Sequence, residues 1–295
     1  MKKILILGGT TFDHIVTLDK FPEPIPKTIH SAPFHEATGS TGAGKALCLT
    51  KLGVPNVLHS ILGDDIWGKK IITHLLSQNV DFIYDIDPKG TERHFNLMNA
   101  AGERISMFIT QSSENPIIDL ALIEEKIQWA DIIVLNIIPY CKQIIPILQK
   151  YNKPVWTDLH DYDEGNPYHE AFINASQYIF LSSDNVKDYK NLMQQFIRNG
   201  KELVVCTHGK NGASILTKEG VSINQPAITS FALVDANGAG DNFFGGFLYA
   251  FIQGKAIDEC MQYGTICGSY CIRSKELVHD DLSADKIEND SKHLK

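Results

Sequence analysis

Val234-Asp235-Ala236-Asn237-Gly238-Ala239-Gly240-Asp241-Asn242-Phe243-Phe244-Gly245-Gly246-Phe247 is the densest chemical signal in the chain. The apolar stretch before it, Ala227 to Val234, reads as a strand, and the stretch after it, to about Gln253, as an apolar helix. Gly238-Ala239-Gly240 then occupies a strand-to-helix turn. Small residues there leave the N–H groups of the first helical turn uncovered, which makes an anion site backed by the positive end of the helix dipole. Asp241 falls within that first turn, beside the anion. A carboxylate held next to a phosphoryl group can take the proton of an attacking hydroxyl. The structural alternative is a helix N-terminus in which Asp241 suits the dipole and the glycines allow close packing.

Outward from this turn, short apolar runs recur at Ile4 to Leu7, Asp131 to Leu135, Pro154 to Thr157, Tyr178 to Leu181 and Leu203 to Cys206. Each reads as a buried strand. Helix-period segments lie between them, at Ile66 to Gln78, Asp119 to Trp129, Tyr140 to Lys150 and Asp184 to Arg198. Strands alternating with helices predict an α/β fold with a mostly parallel sheet covered on both faces. Two stretches, about 10–36 and 89–110, break the rhythm with short strands at Phe12 to Leu18, Thr28 to Phe34, Arg93 to Met98 and Arg104 to Ile109. Turn residues Pro22, Pro24, Pro26 and Ala101-Gly102 separate them. Together they can form a small second sheet, either a lid over the main domain or a decorated sheet edge. The expected organisation is one domain over 1–282 and a charged, aperiodic tail over 283–295 that frays.

Composition narrows the function classes. A chain of 295 residues with 43% hydrophobic and 21% charged residues is an ordinary globular protein. A net charge of −8 argues against a broad nucleic-acid or anionic-membrane surface, since both need a cationic patch. Cys48, Cys141, Cys206, Cys260, Cys267 and Cys271 form no C-x-x-C pair and sit mostly in apolar stretches, which suits free thiols in a reducing compartment. Cys267 and Cys271 share a helix face for packing, with no further ligands at metal spacing. The apolar run after Lys2-Lys3 is too short for a signal core, and no stretch is long enough to span a membrane. A cytoplasmic protein is expected.

Asp-x-x-Gly-Ala-Gly-Asp before an apolar, glycine-containing helix, late in a chain of this length, resembles the ribokinase-like (PfkB) carbohydrate kinases. Further motifs stand in the family's order: Gly8-Gly9-Thr10-Thr11-Phe12-Asp13, the first signature from Gly39 to Gly53, and Gly63-Asp64-Asp65-Ile66-Trp67-Gly68. Asn185-Val186-Lys187-Asp188 and Thr207-His208-Gly209-Lys210-Asn211-Gly212 follow. The resemblance runs from Lys3 to about Ser274. It implies a three-layer sandwich with a mostly parallel central sheet and a small β-sheet lid. It also implies ATP-dependent phosphorylation of a hydroxyl, most simply a primary one, on a sugar or sugar derivative, with Mg²⁺ and in some members a monovalent cation such as K⁺. Carried over by position, Asp241 is the base, and Gly238, Ala239 and Gly240 form the anion hole. Asp13, Gly39, Ser40, Gly44 and Asp241 contact substrate. Thr207, Gly209, Gly212 and Asn185 contact nucleotide, and Asp188 organises the metal indirectly. Implied partners are the small substrate, ATP and a second copy of the chain through the lid.

Four positions depart from the pattern. Ser40 stands for the second glycine of the first signature, and Gly44 for an Asn that holds sugar hydroxyls. Asp188 replaces Glu, and Ala236 replaces the commoner Thr. The missing Asn and the aromatic lid residues Phe12, Phe34, Phe95 and Phe108 leave room for a nucleoside, so an adenosine-like kinase is the alternative. A non-catalytic sugar sensor is the third reading. Gly39 to Lys45 also matches most of a P-loop, but Ala46 lacks the hydroxyl that would bind Mg²⁺. Gly8-Gly9 lacks dinucleotide spacing. Asp158 to Asp163 reads as a solvated acidic loop in preference to a metal site, with Asp158 near the ligand edge of the sheet. His208 reads as structural, and Arg93 and Arg104 as solvent-facing lid charges by default, with a reach to the phosphates or sugar as the alternative.

Overall fold

The computed structural model describes residues 1–100 and 102–293. Ala101 of the expected Ala101-Gly102 turn, and the last two residues of the tail, lie outside them. In chain order the elements are β1 (Ile4–Leu7), β2 (Thr11–Leu18), β3 (Phe34–Gly39), α1 (Thr41–Lys51), β4 (Asn56–Leu62), α2 (Ile66–Ser77), β5 (Asp81–Ile86), β6 (Arg93–Asn99) and β7 (Arg104–Thr110). Then come α3 (Leu120–Trp129), β8 (Ile132–Leu135), α4 (Ile145–Leu148), β9 (Val155–Asp158), α5 (Glu170–Ala175), β10 (Tyr178–Ser182), α6 (Tyr189–Arg198) and β11 (Leu203–Thr207). The chain closes with β12 (Ala213–Thr217), β13 (Ser222–Gln225), α7 (Ala239–Ile252), α8 (Ile257–Cys271) and α9 (Ala284–His293).

Strand periodicity builds three layers. Successive side chains of a strand point to opposite faces. Ile4 and Ile6 of β1 enter one apolar core, and Leu5 and Leu7 enter the other. Ile132 and Val134 of β8 likewise face the first core, and Ile133 and Leu135 the second. The first core is filled by α1, α7 and α8 and the second by α3, α4 and α6. The sheet is therefore buried on both sides, which is why its strands are apolar without alternation.

The main sheet has nine strands in the order β13-β12-β11-β10-β9-β8-β1-β4-β5. All neighbours are parallel except β11/β12 and β12/β13. The order reverses between β1 and β8, and ligands of open α/β sheets bind at the carboxyl ends of strands at such a point. A second sheet, β3-β2-β6-β7, is built from the two irregular stretches. Its β2/β6 pair is parallel and the others antiparallel. None of the described helices is long and apolar enough to cross a membrane.

Several expectations need correction. The strand expected at Thr28 to Phe34 lies at Phe34–Gly39, because the ladder with β2 starts only at Phe34↔Val16 and the proline-containing chain before it is exposed. Ala227 to Val234 forms no strand. Pro226 follows β13, and the segment's tie to the fold is made by Val234 N–H and Asp235 N–H, both donating to Ile272 O. The helix expected over Tyr140 to Lys150 is a 3₁₀ turn, Pro139–Gln143, followed by α4, which has Pro146 in its first turn. α6 starts at Tyr189, where Asp188 caps it. The charged tail does not fray through residue 293: α9 buries Ile287 completely, and Tyr263 and Tyr270 of α8 donate to Glu288 and Asp290.

Candidate active site

The opening motif is the start of α7. Gly238, its N-cap, has φ 82° and ψ −2°, the left-handed region that glycine enters without strain. A Cβ at Gly238 would also press on Leu277 O at 3.0 Å. No side chain caps this helix. Ala239 N–H donates to Ala236 O at 3.2 Å, whereas the N–H groups of Gly238 and Gly240 meet no acceptor among the described residues. A Cβ on Gly240 would meet nothing within 4 Å, so the turn is open to an approaching anion. Asn242 locks the turn from behind, its Nδ2 donating to Gly238 O at 2.8 Å and Leu277 O at 2.7 Å.

Asp241 lies against the start of α1. A Cβ on Gly44 would come within 2.9 Å of Asp241 Cβ and Oδ2, so the missing side chain at position 44 makes room for this carboxylate. Lys45, next in sequence, is wholly buried, and its Nζ lies 2.5 Å from Asp241 Oδ1 and 3.1 Å from Asp158 Oδ2. Burial opposes the charge of Lys45, but the two carboxylates outweigh it and raise its pKa. Burial works to raise Asp158 as well; the charges of His160 and Lys45 and their hydrogen bonds prevail and hold it at about 2. Asp158 ends β9 as a buried residue, whereas Asp161 and Asp163 are exposed, so the solvated-loop reading is corrected for Asp158 alone. Lys45 points into the protein interior, and the strand before α1 belongs to the small sheet, so no P-loop exists here.

Asp13 on β2 is held within the small sheet. Thr11 Oγ1 donates to its Oδ1 at 2.7 Å and Asn96 Nδ2 to its Oδ2 at 3.1 Å, with His94 Nδ1 at 3.7 Å. Burial raises the Asp13 carboxyl above the usual range, against the lowering effect of these neighbours. Gly39 on β3 passes against Asp13, where any side chain would collide with the carboxylate. Ser40 follows at φ 76° and ψ 158°, a region that L-residues rarely adopt. Arg104 of β7 does not face solvent alone: it donates to Asn237 Oδ1 at 2.8 Å, tying the small sheet to the segment before α7. Arg93 bonds Thr110 and lies over the Trp67 ring. A cavity of about 240 Å³ lies between the small sheet and this segment, lined by Thr17, His35, Met98, Leu233 and Asp235. A larger groove of about 400 Å³, beside Lys51, Lys70 and His74, holds none of the expected site residues.

The expected nucleotide residues form a second group at the carboxyl ends of β10 and β11. Thr207 Oγ1 donates to Leu181 O at 3.4 Å, and Asn185 Nδ2 to Asp161 O at 3.2 Å. Gly212 turns at φ 94° with Gln225 and Ala227 backbone against its Cα, so only glycine fits. His208 is structural: Nδ1 and Nε2 each lie 2.9 Å from a hydroxyl, of Ser183 and Ser214, and burial lowers its pKa. Asp188 Oδ1 accepts from Asn191 N–H at 3.1 Å, capping α6, and the residue is exposed. The structure thus sets Gly39 against Asp13 and Gly44 against Asp241, with Ser40 and the start of α1 joining the two along the chain, and the nucleotide group lies farther along the same sheet edge.

Asn96, His94 and Asn242 are site neighbours to which the motif reading gave no role, and Lys45 entered it only as the lysine of an incomplete P-loop match. Lys45 carried a usable signal: one lysine inside Ala43-Gly44-Lys45-Ala46-Leu47, an otherwise apolar helix face, is buried only when paired. Its partners, 113 and 196 residues away, could not be named from spacing.

Residues 168–283 match the family model of the pfkB family carbohydrate kinases. An acarbose 7(IV)-phosphotransferase from Actinoplanes sp. is 30% identical over 271 residues, 90% of this chain and 91% of that protein. A nucleoside kinase from Methanocaldococcus jannaschii is 24% identical over 97% of this chain and 96% of its own length. Among solved structures, the microbiome-derived acarbose kinase Mak1 superposes with a TM-score of 0.87 at 24% identity, covering 99% of both chains.

Proposed function

The chain belongs to the pfkB family of carbohydrate kinases, and we propose that it uses ATP to phosphorylate a primary hydroxyl of a sugar or sugar derivative, with Asp241 as the base. The observation that carries this reading is the juxtaposition at the start of α7. A carboxylate seated in the clearance left by Gly44 stands in the first turn of a helix whose Gly238 and Gly240 amides are open.

In this reading the acceptor hydroxyl gives its proton to Asp241 as its oxygen bonds to the γ-phosphorus and the bond to ADP breaks. The amides of the Gly238-Ala239-Gly240 turn receive the charge of the transferring group. Asp13, fixed by Thr11 and Asn96, accepts bonds from acceptor hydroxyls beside Gly39 and Ser40. Thr207, Gly209, Gly212 and Asn185 hold the nucleotide. The exposed Asp188 carboxylate suits a hydrated Mg²⁺, a hard cation that takes oxygen ligands and keeps several waters. Mg²⁺, when bound with ATP, offsets phosphate charge. The small sheet serves as a lid that orients the acceptor and excludes water.

The test is ATP consumption against acarbose, ribose, phosphorylated ketohexoses, adenosine and inosine. Acarbose leads because the 30%-identical relative is an acarbose phosphotransferase. One acceptor should turn over, and Asp241→Asn should lower kcat by roughly 10²- to 10⁴-fold, the usual contribution of a positioned base. Turnover surviving in Asp241→Asn refutes the assignment, and a thermal shift without turnover supports a sensor instead.

A further inference from the structure

Lys45 has no part in the chemistry above, yet it is the most deeply buried charge in the site. Its Nζ is shared by Asp241 Oδ1 at 2.5 Å and Asp158 Oδ2 at 3.1 Å, over the Phe244 ring at 5.0 Å. The three side chains come from α1, α7 and β9. A buried ion pair is commonly no more stable than an apolar replacement, so stability alone does not account for one. One ammonium also needs only one carboxylate for neutrality, and here it has two.

We propose that Lys45 and Asp158 are positioning residues for phosphoryl transfer: Lys45 grips Asp241 by Oδ1, leaving Oδ2 in the space opened by Gly44, and Asp158 balances the lysine charge so that Asp241 can accept a proton. The proposal rests on Asp241 being the base. With both acids ionised the cluster carries one net negative charge. When the acceptor O–H breaks and its proton passes to Asp241, a neutral Lys45–Asp158 pair remains. Without Asp158 the same step would turn a neutral pair into a buried cation, which opposes proton uptake. Without Lys45 two carboxylates would face each other, which favours uptake but leaves Asp241 unheld.

The other titratable groups around the cluster are few. Cys48 of α1, whose Sγ donates to Asn242 O at 3.8 Å, and the buried Cys271 of α8 both have their thiols raised well above the ordinary range and stay neutral. His160 Nδ1 lies 3.8 Å from Asp158 Oδ2, and Asp235, whose carboxyl burial raises, lies on the Cys271 side.

The test compares the pH profile of kcat/KM in the full-length protein and in Asp158→Asn, Lys45→Met and the double variant, with His160→Gln in parallel. A neighbouring charge moves a titration by roughly one to three pH units. The acid limb should fall by about one unit in Asp158→Asn, rise by about one in Lys45→Met, and return close to the wild-type position in the double variant. Acceptor KM should stay within about threefold. The ¹³C carboxyl resonance of Asp241, identified by its loss in Asp241→Asn, should shift its titration midpoint in the same directions without any substrate. That readout stands whether or not the protein turns over an acceptor, and Asp158→Asn alone suffices if Lys45→Met does not fold. An Asp241 midpoint and acid limb unmoved in Asp158→Asn, or single shifts of the same sign, would overturn the proposal.

Discussion

Ser40 shows how one residue can reveal a family's geometry by straining to keep it. The first signature calls for glycine here, and the backbone explains why: φ 76° with ψ 158° lies in a region that is essentially glycine's own. Ser40 holds this conformation without a side-chain bond to the helix it caps. Such a conformation costs of order 1–3 kcal/mol. Glycine would remove that strain while adding roughly 0.5–1 kcal/mol of unfolded-state entropy. Ser40→Gly is therefore expected to stabilise the protein by about 1 kcal/mol, read as a higher urea midpoint at unchanged slope. A lower midpoint would show that Ser40 is held by contacts worth more than the strain. Gly44 illustrates the opposite economy. Losing the expected Asn there reads in the sequence as a lost substrate contact, whereas in the fold it is the clearance that Asp241 occupies. The residue identities were legible; their meaning depended on a neighbour 197 positions later.

Elements whose apolar period was complete were legible, and elements held by tertiary bonds were not. β1, β8 and β11 are continuous apolar runs because two cores cover them, so the sequence shows them directly. Ala227 to Val234 is equally apolar but has no ladder partner, and Phe231, Leu233 and Val234 remain exposed. α9 is the reverse case. Ile287 is its one buried large apolar side chain, and Tyr263, Tyr270 and Lys255 supply the partners of Glu288 and Asp290. No periodicity could announce such a helix. Ile287→Ala should destabilise the protein by roughly 2–5 kcal/mol, as for other fully buried isoleucines. A frayed tail would instead give a change within about 0.5 kcal/mol, the usual surface effect. Urea unfolding of the full chain separates the two.

At the scale of the molecule, the two-sheet architecture follows from the alternation of runs, but the use of the small sheet's free edge does not. β7 is its outer strand and is exposed almost throughout. Ile105, Met107 and Ile109 point to one face, each about half exposed, while Arg104, Ser106 and Phe108 face Asn237, Asn96 and His94 at the site. A long apolar edge strand invites pairing with another strand, and natural proteins seldom leave one bare. A second copy can meet it about a two-fold axis, β7 against β7, since antiparallel pairing of identical strands is self-complementary. Such a contact would cover Ile105, Met107 and Ile109 and steady the strand that carries Arg104 to the site. Light scattering should then give twice the 32.9 kDa of one chain. Met107→Lys, which puts a charge on the edge without touching the site face, should give the single-chain mass and raise the acceptor KM more than it lowers kcat. A wild-type protein that runs at 32.9 kDa throughout the assay range would leave the lid to work within one chain, with Arg104 and Asn237 as its fastening.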